Sequence, residues 1–144
     1  MSKIKIYLGP APFTTAASSG TDADPVDSGV IKVPASGYEE GDWIPLAVKC
    51  DSGYKTVEDT SRHARITIEQ TSTTNADKWR LAPDDGFGAA DTASASAWGA
   101  LLDFNSEIDD TNTLFHVQGR AHDAEEPINE TDIDLKVAAT IGAA

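Results

Sequence analysis

The sequence predicts an all-β chain, an antiparallel β-sandwich of seven or eight short strands with an extended N-terminal arm. Three observations predict it. Apolar residues recur with a period of two rather than 3.6. Clusters of Asp, Asn and Gly separate the apolar runs, as at Asp51-Ser52-Gly53, Asp84-Asp85-Gly86 and Asp109-Asp110-Thr111-Asn112, where these residues turn the backbone. No window long enough for a helix carries an apolar stripe. Ala89 to Ala100 is rich in alanine, but Ser and Thr interrupt it.

The elements follow in chain order. Ile4, Ile6 and Leu8 alternate with Lys3, Lys5 and Tyr7 to open the chain as a strand. Residues 9–28 are Thr, Ala, Ser, Gly, Pro and Asp with only Phe13 and Val26 as sizeable apolar groups, too few to offset the entropy of ordering. Gly29 to Val33 is a weaker strand candidate. Ile44, Leu46 and Val48 alternate after Trp43, and Ala64, Ile66 and Ile68 alternate with polar neighbours. Lys78 to Leu81 is short, with Trp79 and Leu81 on one face. Over Ala97 to Phe104, Trp98, Leu102 and Phe104 share a face. Over Thr113 to Ala121, Phe115 and Val117 point inward while His116, Gln118 and Arg120 point outward. The last strand is one run, in which Ile133, Leu135, Val137, Ala139 and Ile141 alternate with Asp132, Asp134, Lys136, Ala138 and Thr140. Residues 1–33 therefore read as an N-terminal strand and low-complexity arm, and residues 34–144 as the sandwich.

Composition bounds the function. The chain has 144 residues, one domain's worth, and its hydrophobic content of 40% includes 21 alanines, so it supports a single modest core. Lys+Arg 11 against Asp+Glu 24 give a net charge of -13. Binding nucleic acid or an anionic membrane needs the opposite surplus, so neither is an expected partner. Most of the excess lies in residues 84–134, with thirteen acids against one base, Arg120. The single Cys50 excludes an intramolecular disulfide and a Cys-based zinc site. Met1 to Pro10 holds no apolar stretch of signal-peptide length, which predicts a protein made in the cytoplasm.

No pattern of catalytic chemistry emerges. His63, His116 and His122 have no HExxH, GxSxG or Cys–His context and are expected as exposed strand and loop residues; Ser61 near His63 makes a weaker nucleophile still. No enzyme is predicted. Calcium is the metal to consider, because it takes six to eight oxygens that acidic loops can supply. Asp22, Asp24 and Asp27 are closely spaced, Asp84 and Asp85 adjoin, and Asp123, Glu125 and Glu126 add further donors. None follows the EF-hand loop, and a solvated acidic loop is the competing reading. Trp43, Trp79, Trp98, Tyr38 and Tyr54 could stack sugars, but each Trp falls on or beside the inward side of a predicted strand, so core packing is expected.

Lys78-Trp79-Arg80-Leu81-Ala82-Pro83-Asp84-Asp85-Gly86, then Ala97-Trp98-Gly99, then Asn112-Thr113-Leu114-Phe115-His116-Val117 with Arg120-Ala121 and Asp132 to Ile141 resemble the pattern of bacterial-type immunoglobulin-like domains. Such domains recur in tailed-phage particles, in head decoration and tail proteins. The match covers about residues 43 to 141 and departs from disulfide-bonded immunoglobulin domains at the unpaired Cys50. The resemblance implies an immunoglobulin-like sandwich with a structural or adhesive role, and it brings no catalytic residues.

These readings predict a structural virion protein: a capsid decoration protein first, a tail tube or other tail component second. Its partner would be the major capsid protein or another virion protein, with a second copy of the chain as a further candidate. The chain would dock on the particle exterior through its less charged side, with the acidic side facing solvent. An arm ordered on binding would dock with it, through Ile4, Ile6, Leu8, Phe13 and Val26, with Ile4, Ile6 and Leu8 adding a strand to a neighbour. No cofactor is required, calcium apart. The alternatives are a carbohydrate- or cell-surface-binding module and a subunit of an extracellular filament.

Overall fold

The computed structural model describes residues 3–17, 31, 34–70, 78–123 and 133–144. Ten strands lie among them: β1 (Ile4–Leu8), β2 (Thr15–Ala16), β3 (Tyr38–Cys50), β4 (Tyr54–Val57), β5 (Ala64–Gln70), β6 (Trp79–Pro83), β7 (Leu102–Phe104), β8 (Thr113–His122), β9 (Ile133–Ala138) and β10 (Thr140–Ala143). All pairings are antiparallel. A five-stranded sheet runs β2-β1-β3-β8-β6, and across from it lie a three-stranded sheet β7-β5-β9 and the ribbon β10-β4. The chain is an antiparallel β-sandwich.

Its core comes from the alternation. Ile4 and Ile6, Leu46 and Val48, Phe115 and Val117, and Trp79 and Leu81 line the inner face of the large sheet. They meet Ala64, Ile66, Leu102 and Leu135 from the opposite side. The Phe104 and Phe115 rings touch edge to face at 6.1 Å between centroids, a geometry that aromatic quadrupoles favour. The connection between β7 and β8 plugs one end, where Ile108 is 1% exposed. Thr56 holds that plug: its N–H donates to the Ile108 carbonyl at 2.8 Å, and its Oγ1 accepts the Ile108 N–H at 2.8 Å.

The first strand corrects the docking expectation. β1 is paired with β3 along its length, from Ile4 opposite Cys50 to Leu8 opposite Leu46. Ile4 and Ile6 are buried in the chain's own core, and Leu8 packs against it. Phe13 is buried too, 6% exposed, and a Cβ on Gly9 would stand 3.3 Å from its ring and 3.2 Å from the Pro45 carbonyl. The segment after β1 thus folds back over the large sheet, and Asn112 Nδ2 ties it by donating to the Pro12 carbonyl at 3.0 Å. Ile4, Ile6 and Leu8 serve this sandwich, because its inner face is where water is excluded. Val26 lies outside the described residues, as does Gly29–Val33 apart from Ile31.

Two further expectations change. The run from Ile133 to Ile141 is two strands: β9 pairs with β5 and β10 with β4. The β9–β5 ladder ends at Arg65 opposite Ala138, and the chain then crosses to β4. Side-chain parity survives the crossing, since Leu135, Val137, Ala139 and Ile141 all pack on the core. Over Ala97 to Phe104 only Leu102–Phe104 is strand. Ala100 N–H donates to Ala97 O, and Gly99 has φ of 81°, so a turn sets Trp98 off the strand.

Candidate docking site

The outer face of the large sheet carries a cluster of aromatic and charged side chains. β3 and β8 pair with a register shift between Glu40 and Trp43. This bulge restores the outward parity, so Tyr38, Glu40 and Trp43 lie along one face beside His122, Arg120 and Gln118. Arg80 of β6 pairs with Gln118 from the other side. The segment after β6 runs back along its edge, with Ser96 N–H donating to Leu81 O and Gly99 N–H donating to Trp79 O, both at 2.7 Å. That return carries Trp98 over the face.

Rings and guanidiniums then alternate. Arg80 Cζ is 5.1 Å from the Trp43 ring centre and 4.6 Å from that of Trp98. Arg120 Cζ is 4.3 Å from Trp98 and 3.8 Å from Tyr38. Tyr38 meets the His122 ring at 4.3 Å. All four cation–ring distances fall within reach of the ring quadrupole. Arg80 Nε also donates to Gln118 Oε1 at 2.8 Å, and Gln118 Nε2 donates to Gly41 O at 2.9 Å. Glu40 approaches Arg80 to 3.7 Å.

The structure therefore places the five aromatics in three settings. Trp79 is buried in the core, as expected. Trp43 and Trp98 are half-buried in the ladder with Tyr38, which corrects their assignment to the core. Tyr54 lies apart, with Lys3 Nζ 5.0 Å from its ring centre. Ring faces that a sugar would need are met by Arg80 and Arg120.

His116 corrects the expectation of an exposed histidine. It points outward from β8 yet is 2% exposed, and its Nε2 lies 2.8 Å from Asp84 Oδ1. His63 Nδ1 contacts Thr56 Oγ1 at 3.2 Å, and the His122 ring lies tilted against Tyr38. Ser61 occupies the turn closed by the Asp59–Arg62 bridge, at φ 67°.

Asp84 and Asp85 organise the loop that follows β6. Asp84 Oδ2 accepts N–H groups of Gly86 at 2.9 Å and Gly88 at 3.4 Å. Asp85 Oδ1 accepts those of Phe87 at 2.7 Å and Ala89 at 3.2 Å. Burial alone would raise the Asp84 carboxyl. The His116 hydrogen bond and the two glycine amides outweigh it and hold the carboxyl below its ordinary value. As calcium candidates, Asp84 and Asp85 are thus engaged by backbone donors, and no group of three or more His, Cys, Asp or Glu side chains among the described residues could hold a metal. Asp22, Asp24, Asp27, Glu125 and Glu126 lie outside the described residues. Asp123 is exposed and accepts the Gly37 N–H at 3.0 Å.

At the tip of this loop Phe87 is 93% exposed. Sequence reasoning passed over Phe87 and both ladder arginines. The available signal was a large apolar residue between two glycines in an acidic turn. Comparison of the chain with family models, with curated proteins and with solved structures finds no match.

Proposed function

We propose that this chain is a non-enzymatic structural protein of a virus particle, a decoration protein on the exterior of a tailed-phage capsid. Its sandwich would be of the immunoglobulin-like type, its partner the major capsid protein, and its route the host cytoplasm followed by release with the particle. One observation carries the reading. The outward face of β3, β8 and β6 is locked by the ladder Trp43–Arg80–Trp98–Arg120–Tyr38. Two of the three tryptophans and two arginines stand there on a surface whose rings and charges contact one another, which suits a module that must persist on a particle. The acidic balance supports display in solvent, and the resemblance of its residue pattern to bacterial-type immunoglobulin-like domains supports the class.

Sedimentation of purified phage particles, split into heads and tails, tests the proposal. The protein is expected in the head fraction. Recovery in tails alone replaces decoration by a tail role, and absence from both fractions ends the virion reading.

A further inference from the structure

We infer that Phe87 is a preformed docking anchor, which enters an apolar socket with a Lys- or Arg-lined rim on the major capsid protein. The inference rests on the virion reading and names the contact that reading leaves open. Phe87 is 93% exposed, whereas the other exposed large apolar residues, Tyr38, Val57 and Leu101, are 40% to 48% exposed. A phenylalanine ring at that exposure offers its apolar faces to water, with no ring contact to it among the described residues.

The loop beneath it is fixed. Two carboxylates take four successive N–H groups, from Gly86 to Ala89. Asp85 N–H donates to Ala89 O and Asp91 N–H to Pro83 O, each at 2.9 Å, closing the base. Asp84 is held in turn by His116 at 2.8 Å, a side chain buried in the sheet surface. Gly86 and Gly88 both sit at φ 90°, a conformation that residues with a Cβ rarely adopt. The backbone that carries the ring therefore has little ordering left to lose on binding, which favours an anchor.

Charge selects the partner. Residues 84–91 contain Asp84, Asp85 and Asp91 and no Lys or Arg. The aromatic tip stands in an acidic surround, which repels anionic lipid and matches a basic rim on a protein. A pocket that buries the ring beneath a basic rim satisfies both features.

The test uses particles purified from a phage lacking the gene for this chain, with the full-length protein added back. Wild type, Phe87→Ser and Phe87→Leu are compared for particle binding, melting temperature and sedimentation of the free protein. We expect Phe87→Ser to weaken binding about 30-fold or more, as loss of a hot-spot side chain does, with an unchanged melting temperature. Phe87→Leu should retain most of the binding, and added salt should weaken the wild type. Equal binding by wild type and Phe87→Ser overturns the anchor and leaves the virion reading standing. Failure of the wild type to bind removes both. Wild-type self-association lost in Phe87→Ser, or wild-type binding to zwitterionic lipid vesicles lost in it, overturns the capsid socket in favour of a second copy or a membrane.

Discussion

Thr56 illustrates how much one polar atom can hold in place. It is 1% exposed and stands at an inward position of β4, where periodicity alone would place an aliphatic residue. Its hydroxyl joins Ile108, from the β7–β8 connection, to His63, at the start of β5. Thr56→Val keeps the shape and leaves the Ile108 N–H without its acceptor. Leaving a buried donor unsatisfied costs about 1–3 kcal/mol, and urea denaturation is expected to report a loss in that range. The same residue explains why β4 was illegible in the sequence: four residues with a threonine inward give no apolar alternation. Arg80 and Arg120 were hidden for a related reason. Their significance comes from ring faces contributed by β3 and by the Trp98 turn, and a bulge between Glu40 and Trp43 decides which side chains share a face.

Strands with strict alternation were readable, because burial of one face leaves its period in the residues: β1, β5, β8 and the centre of β3 all appear in the sequence. Partner choice was not readable. The run from Ile133 to Ile141 keeps one parity while its hydrogen bonds pass from β5 to β4. Nor could alternation say whose core Ile4 and Ile6 fill. Among the described residues β4 pairs with β10 only, so the ribbon depends on the last few residues. Gly142 allows its close approach, since a Cβ there would meet Val57 Cγ2 at 2.9 Å. Removing residues 140–144 is expected to speed hydrogen exchange of the β4 amides about tenfold or more, while β5 and β8 keep their protection. Equal protection of β4 in the truncated chain would show that Thr56 and the Ile108 plug suffice to hold it.

The whole molecule couples to pH through carboxylates held by partners in the folded chain. Asp103 is held below its ordinary carboxylate value chiefly by the Arg65 side chain, which donates to it through Nε at 2.7 Å and Nη2 at 3.0 Å across β5 and β7. Asp84 is lowered as well. A carboxyl with a lower value folded than unfolded binds its proton more readily in the unfolded chain. Its contribution is therefore complete above the ordinary carboxylate value, roughly pH 4, and is lost as acid titrates the folded group. Melting temperatures should stay level near neutrality and fall in acid, and Asp103→Asn should flatten that fall while lowering the neutral value. A wild-type melting temperature independent of pH down to about pH 2 would contradict the assignment.

Cys50 gives the molecule one more property. Burial, with Asp109, Asp51 and Asp110 nearby, raises its thiol, and its Sγ faces the Ile108 carbonyl at 3.5 Å. A thiol that stays protonated and out of reach is a poor nucleophile and a poor target for oxidants. The one cysteine is thus shielded from oxidation in the folded chain. Any assembly it enters is spared crosslinking through this residue.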